Sequence, residues 1–233
     1  MALRTIGIMR IDDYVAELNR VLAGPPGPKR DLVVEARDSL TDAADALEAE
    51  GLDRAAAERA AVAGFGPVEE IAPGYQAELT CAAGRRLGIL LVVGVPVTVL
   101  MWSVLWRLYP ATETAWLAKP GWYATVSRLL DAAQLAVGLY GGLVLFALNR
   151  GARWIRRPRL LTRSLAVTVW ISLPVTGGLG LLLTYGADQP NTLAALPALL
   201  ANLVTAALWG LQVYGASRCL RLTRPVVTPC PSA

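Results

Sequence analysis

Apolar residues follow two different patterns along the chain. Between about residue 10 and residue 80 they recur at steps of three and four among acidic positions, which is the spacing of short amphipathic helices. From residue 87 onward they fill four nearly unbroken stretches, Leu87 to Trp106, Leu129 to Leu148, Leu165 to Tyr185 and Leu193 to Tyr214. Crossing a hydrocarbon core of roughly 30 Å takes about 20 helical residues, so each stretch is long enough to span it. Lipid offers the backbone no hydrogen-bond partners, and a helix satisfies its N–H and C=O groups internally. The expected fold class is therefore all-α, a small N-terminal helical domain followed by a four-helix transmembrane bundle. A tight turn, Gly186 to Asn191, joins the third and fourth spans, which makes them an antiparallel hairpin.

The N-terminal region is punctuated clearly. Tyr14, Leu18, Val21 and Leu22 mark a first helix, ended by Gly24 and the run Pro25-Pro26-Gly27-Pro28. Val33, Ala36, Leu40, Ala44 and Leu47 then form one apolar stripe opposed by Asp31, Glu35, Asp38, Asp42 and Glu48. Gly51 with Leu52 behind it has the pattern of a left-handed C-terminal cap. Asp53 can cap an alanine-rich helix that runs through Ala63 and stops at Gly64-Phe65-Gly66. Pro67 suits the first turn of a last helix carrying Val68, Ile71, Ala72, Tyr75 and Leu79 towards the membrane. Most of these apolar positions are expected to form the domain's own core. Some 80 residues with an alanine-rich core make a marginally stable domain, for which a partner or self-association is physically reasonable.

Composition supports two solvents for two parts. Hydrophobic residues make up 55% of the chain and the mean hydropathy is +0.45, more than an ordinary soluble domain carries. Residues 1–84 hold 15 acidic and 8 basic side chains, whereas residues 85–233 hold 3 acidic and 14 basic ones. The expected domains are 1–84, cytoplasmic, acidic and helical; 85–217, transmembrane; and 218–233, a disordered cytoplasmic tail. With 20 Arg against 2 Lys and abundant alanine, the composition points to a GC-rich bacterial genome. The first 20 residues lack the apolar run and cleavage site of a secretory signal.

Arginine placement sets the expected orientation. Arg85 and Arg86 precede the first span, Arg150, Arg153, Arg156, Arg157, Arg159 and Arg163 occupy the connection between the second and third, and Arg218, Arg221 and Arg224 follow the fourth. The opposite side holds only Arg107, Lys119 and Arg128. Eleven cations against three place both termini in the cytoplasm of a bacterial inner membrane, with the anionic inner leaflet against the basic side. Tyr109, Trp116, Trp122 and Tyr123 then cluster at the outer interface and Trp154 lies at the inner one.

Catalytic chemistry is largely excluded by what is missing. The chain has no histidine, hence no Ser-His-Asp or Cys-His constellation and no HExxH zinc site. Cys81, Cys219 and Cys230 form no CxxC pair and read as free thiols. Gly177-Gly178-Leu179-Gly180 lies within a span and reads as a packing or kinking site rather than a phosphate cradle. No cofactor and no metal is expected, nor is an enzyme. The basic segment Asn149 to Arg163 is explained by lipid headgroups, and no direct nucleic-acid binding is expected. Arg128 and Asp131, three apart at the outer end of the second span, form the one intramembrane charged pair that the spacing allows. A structural role at the interface is the simpler reading, with ligand sensing or gating as the alternative. Gln134, Asn202 and Gln212 are isolated polar groups suited to bonds between helices. Gly84 with Gly88 and Gly138 with Gly142 form two GxxxG pairs that serve either packing inside the bundle or a homo-oligomer. Pro96, Pro174 and Pro197 fall inside spans, where a proline frees carbonyls and kinks the helix.

The runs Ile11-Asp12-Asp13-Tyr14-Val15-Ala16-Glu17-Leu18, Arg37-Asp38-Ser39-Leu40 and Phe65-Gly66-Pro67-Val68-Glu69-Glu70-Ile71-Ala72 together resemble the HAAS signalling domain, itself similar to the permease prefix domain. The likeness covers residues 10 to 80 and consists mainly of helix punctuation. It implies a cytoplasmic signalling element without catalytic residues, in membrane proteins associated with PadR-like winged-helix transcription regulators. A membrane-anchored regulatory protein binding such a cytosolic partner is the function it implies. An accessory or assembly subunit of a transporter is the alternative, and the absence of a large permease domain and of an ATP-binding loop in this sequence weighs against it.

Overall fold

A computed structural model of the chain describes residues 9–109, 119–150, 158–186 and 195–223. All regular structure among them is helical: α1 (Ile11–Val21), α2 (Pro26–Ala49), α3 (Arg54–Phe65), α4 (Val68–Leu108), α5 (Tyr123–Arg150), α6 (Pro158–Tyr185) and α7 (Ala195–Leu222). Contacts divide the chain into two compact units, Met1–Ala82 and Ala83–Ala233, so the division falls inside α4 and two residues before the boundary expected after Gly84.

The first unit closes a core around α1. Tyr14 and Leu18 are almost fully buried, against Ala36, Leu40 and Ala44 of α2, Ala57 and Val62 of α3, and Ala72 and Leu79 of α4. Alanine dominates the partner helices, so they approach α1 closely while the larger side chains of α1 fill the middle. The Tyr14 and Phe65 rings meet edge to face at 5.8 Å, a favoured aromatic geometry. Helix α2 begins at Pro26, one turn or more before the apolar stripe at Val33, because proline in the first turn forgoes only an N–H that would have no partner there. Its other end is a Schellman cap: Leu52 N–H bonds to the Leu47 carbonyl at 3.2 Å, Gly51 N–H bonds to that of Glu48 at 2.9 Å, and Gly51 takes φ +105°. The Asp53 carboxylate then accepts from Ala56 N–H at 2.9 Å and starts α3.

The second unit contains the apolar helices. All four, α4 to α7, are long and apolar enough to cross a membrane. Charged residues fall at matching intervals along α4 and α5. Arg86 to Arg107 on α4 and Arg128 to Arg150 on α5 are each separated by about 32 Å at 1.5 Å per residue, close to the thickness of the hydrocarbon core. Helix α6 packs against both α5 and α7. Leu135, Leu139, Leu143 and Phe146 recur along one side of α5 and remain 60–67% exposed, the row that lipid would cover.

Two features depart from the expectations. Pro197 sits in the first turn of α7 rather than inside it, where it costs no internal hydrogen bond, while Pro96 and Pro174 are internal and Pro73 is a further proline within α4. Residues 218–222 are not the start of a disordered tail: α7 continues to Leu222, with Ala216 and Cys219 buried on its inner side and Arg221 suiting the negative end of the helix dipole. Trp116, Arg153, Trp154, Arg156, Arg157, Arg224, Cys230 and residues 187–191 of the hairpin turn lie outside the described residues.

Candidate functional site

Charge on the first unit is arranged unevenly. Arg54 pairs with Asp45, with Glu48 at 3.0 Å and with Glu58 at 3.3 Å, and the hydrogen bonds it donates to Asp45 and Glu48 hold its guanidinium even more firmly protonated than usual. Arg10 adds a contact to Glu58 at 3.5 Å, Arg20 reaches Glu17 at 3.5 Å, and Arg37 pairs with Asp12 at 2.8 Å across α1 and α2. Asp31, Glu35, Asp38 and Asp42, at steps of four, three and four along α2, enter none of the ion pairs among the described residues. All four are exposed and form one acidic stripe, with Arg30 at its start, lining a shallow trough of about 580 Å³.

Beside that stripe, α1 and α2 enclose an apolar groove of about 320 Å³ floored by Val15, Ala16, Val33 and Val34. The Asp12–Arg37 pair forms part of its rim. Val34 belongs to both depressions and is 49% exposed. Sequence reading placed Val33 in the core stripe and assigned Val34 nothing; its exposure follows from lying one step off that stripe, beside the acids.

Below the surface Tyr14 connects two ends of the domain. Its hydroxyl donates to the Gly66 carbonyl at 2.9 Å. Burial, and then the negative charge that Tyr75, Glu69 and Glu17 would set beside a phenolate, push its pKa up to about 12.

In the second unit the small residues named from the sequence line helix contacts. A methyl placed on Gly84 would stand 2.6 Å from Thr162 Oγ1, one on Gly88 3.1 Å from Leu145 Cβ, one on Gly138 3.4 Å from Val95 and one on Gly142 3.7 Å from Val92. Gly141, which belongs to neither GxxxG pair, is tighter than its neighbours on α5, at 2.9 Å from Leu91 Cβ. Polar cross-links include Tyr140 to Ser164 at 2.8 Å, joining α5 to α6, and Trp102 to Thr205 at 3.3 Å, joining α4 to α7. Gln212 is buried beside Gly94, whereas Asn202 bonds back to the Ala198 carbonyl on its own helix. Gln134 is half-buried. Arg128 and Asp131 are both exposed near the start of α5, and no ion pair joins them among the described residues. Their intervening turn of helix allows a pair, but both side chains face outward with solvent or headgroups available to each. Trp122 and Tyr123 pack around Gly186, and Lys119 lies 4.4 Å over the Tyr123 ring. Of the arginines expected to set the topology, Arg150, Arg159 and Arg163 are described and all three are exposed. Among the described residues no group of three or more Cys, Asp or Glu side chains is placed to hold a metal.

No curated protein and no solved structure matches the chain. One protein-family model does match, over residues 13–74, about a quarter of the chain, from the first turn of α1 through α2 and α3 into α4. Those residues make up most of the first unit and include the floor of the groove and the acidic stripe. The N-terminal head of this chain, which also has four helices long and apolar enough to cross a membrane, is a HAAS domain.

Proposed function

We propose that the chain is a membrane-anchored regulatory protein of the bacterial inner membrane, whose HAAS head lies in the cytoplasm and binds a cytosolic protein, a PadR-like winged-helix transcription regulator. The observation that carries this reading is the HAAS match on a head in which Asp31, Glu35, Asp38 and Asp42, all exposed on α2, enter no ion pair among the described residues. An unneutralised acidic stripe attracts a basic surface, and a DNA-binding protein presents one. Binding there would compete with DNA for the same cations, which couples the membrane protein to transcription without catalysis. The four apolar helices anchor the head at the bilayer, where the basic ends of the spans meet anionic headgroups. The functional work is done by binding, and no residue is assigned a catalytic role.

Co-purification of the full-length protein from native membranes at low salt, followed by mass spectrometry, tests the reading. Recovery of a winged-helix regulator that dissociates as salt is raised is the expected result. Recovery of no cytosolic DNA-binding protein, or of one bound independently of salt, contradicts it.

A further inference from the structure

We infer that the α1–α2 groove is the docking seat of the cytosolic partner and that it receives an amphipathic helix, apolar along one edge and lysine- or arginine-rich along the next. This inference rests on the partner-binding role proposed for the head and specifies where, and through what chemistry, binding takes place.

The groove and the acidic stripe share Val34 and form one continuous surface along α2. Val15, Ala16, Val33 and Val34 offer a floor without charge. Arg37 is the cation at its edge, and Asp12 already neutralises it at 2.8 Å. The charges left outside ion pairs there, among the described residues, are net negative: Asp31, Glu35, Asp38 and Asp42 on one side of the floor, against Arg30 at the start of the row. A helix lying in the groove places apolar side chains at steps of three and four onto the valines, and the row one step round its circumference faces the acids. Charge complementarity requires that row to be basic. A volume of about 320 Å³ falls at the low end for small-molecule sites, and two helices alone bound the groove, so it suits a row of side chains better than an enclosed ligand. A second copy of the head would oppose the same acids to these, and an anionic bilayer would repel them. Neither covers Val34 favourably.

The test uses the full-length protein in phosphatidylcholine nanodiscs and an 18-residue probe helix with leucine on one face, lysine on the adjoining face and a benzophenone at a central apolar position. Empty nanodiscs give the lipid background. Photocrosslinks mapping to Val15, Ala16, Val33 or Val34 are expected. Val34→Lys should lower capture about tenfold, and the combined Asp31→Asn, Glu35→Gln, Asp38→Asn and Asp42→Asn substitutions should lower it by a similar factor and flatten its salt dependence. All of these positions are exposed, so the fold does not depend on them. Equal capture of a probe with glutamate in place of lysine overturns the inference, as does capture unaffected by Val34→Lys. Crosslinking of a benzophenone at position 34 to residues 149–163 of the chain itself, with no probe captured, also overturns it. Failure here is separable from failure of the proposed function. A regulator that co-purifies equally with wild type and Val34→Lys removes the groove and leaves the role. Probe capture at the groove with no regulator in native membranes does the reverse.

Discussion

The Tyr14 hydroxyl donates to the Gly66 carbonyl at 2.9 Å, tying the first turn of α1 to the residue between α3 and α4. Gly66 takes φ +101°, a conformation that side-chain-bearing residues rarely adopt. The bond therefore holds a turn that only glycine makes easily, and it spans most of the HAAS domain. Replacing Tyr14 with Phe keeps the ring packed against Phe65 but leaves the carbonyl without this donor. A loss of about 1 kcal/mol is expected in thermal or urea unfolding of the head, read by a domain-specific probe such as hydrogen exchange on α1.

Tyr14 also gives the head a pH dependence of defined sign. Its pKa rises from 10.0 to about 12 on folding, so the folded state favours the neutral phenol. The stabilisation is complete below pH 10 and is lost as pH climbs from 10 to about 12. Head stability measured across that window should fall in wild type more than in Tyr14→Phe. Equal slopes would show that the phenol contributes nothing to it.

Gly141 and Leu91 make a sharper prediction for the bundle. Gly141→Ala pushes a methyl to 2.9 Å from Leu91 Cβ, while Gly178→Ala on α6 meets nothing within 4 Å. Overpacking of this kind costs about 1–3 kcal/mol, so Gly141→Ala should lower the detergent melting temperature clearly and Gly178→Ala hardly at all. A smaller shift for Gly141 than for Gly178 would mean that α4 and α5 are not packed as described.

The Tyr140–Ser164 bond between α5 and α6 should show a modest coupling. Intramembrane hydrogen bonds contribute on average about 0.6 kcal/mol, because the polar groups find other partners when separated. A double-mutant cycle of Tyr140→Phe and Ser164→Ala, followed by unfolding in mixed micelles, is expected to give a coupling of roughly that size. Additive effects would exclude the bond.

Much of the head was legible in the sequence because its elements end on residues whose backbone preferences are strong. Gly51 with Leu52 marked the Schellman cap and Asp53 the start of α3, since each signal acts within a few residues. The start of α2 was harder to see, as the same prolines that end one helix can open the next. Which small residues carry the helix contacts could not be read from spacing. Gly84, Gly88, Gly138 and Gly142 stand out as motifs, but among the glycines of α5 it is Gly141 that makes the closest approach, because the facing side chain, Leu91 of α4, decides it. Periodicity separated the core face of α2 from its acidic face. The groove needed the position of α1, which no local pattern fixes.

The side of the membrane on which the head lies is tested directly by cysteine labelling in intact cells. In a background lacking Cys81, Cys219 and Cys230, single cysteines would replace Asp42 on α2 and Gly121 before α5, both exposed positions. A membrane-impermeant maleimide should label the cysteine at 121 in intact cells and the cysteine at 42 only after permeabilisation. Labelling at 42 with the membrane intact would put the HAAS head outside, where no cytosolic regulator could reach it.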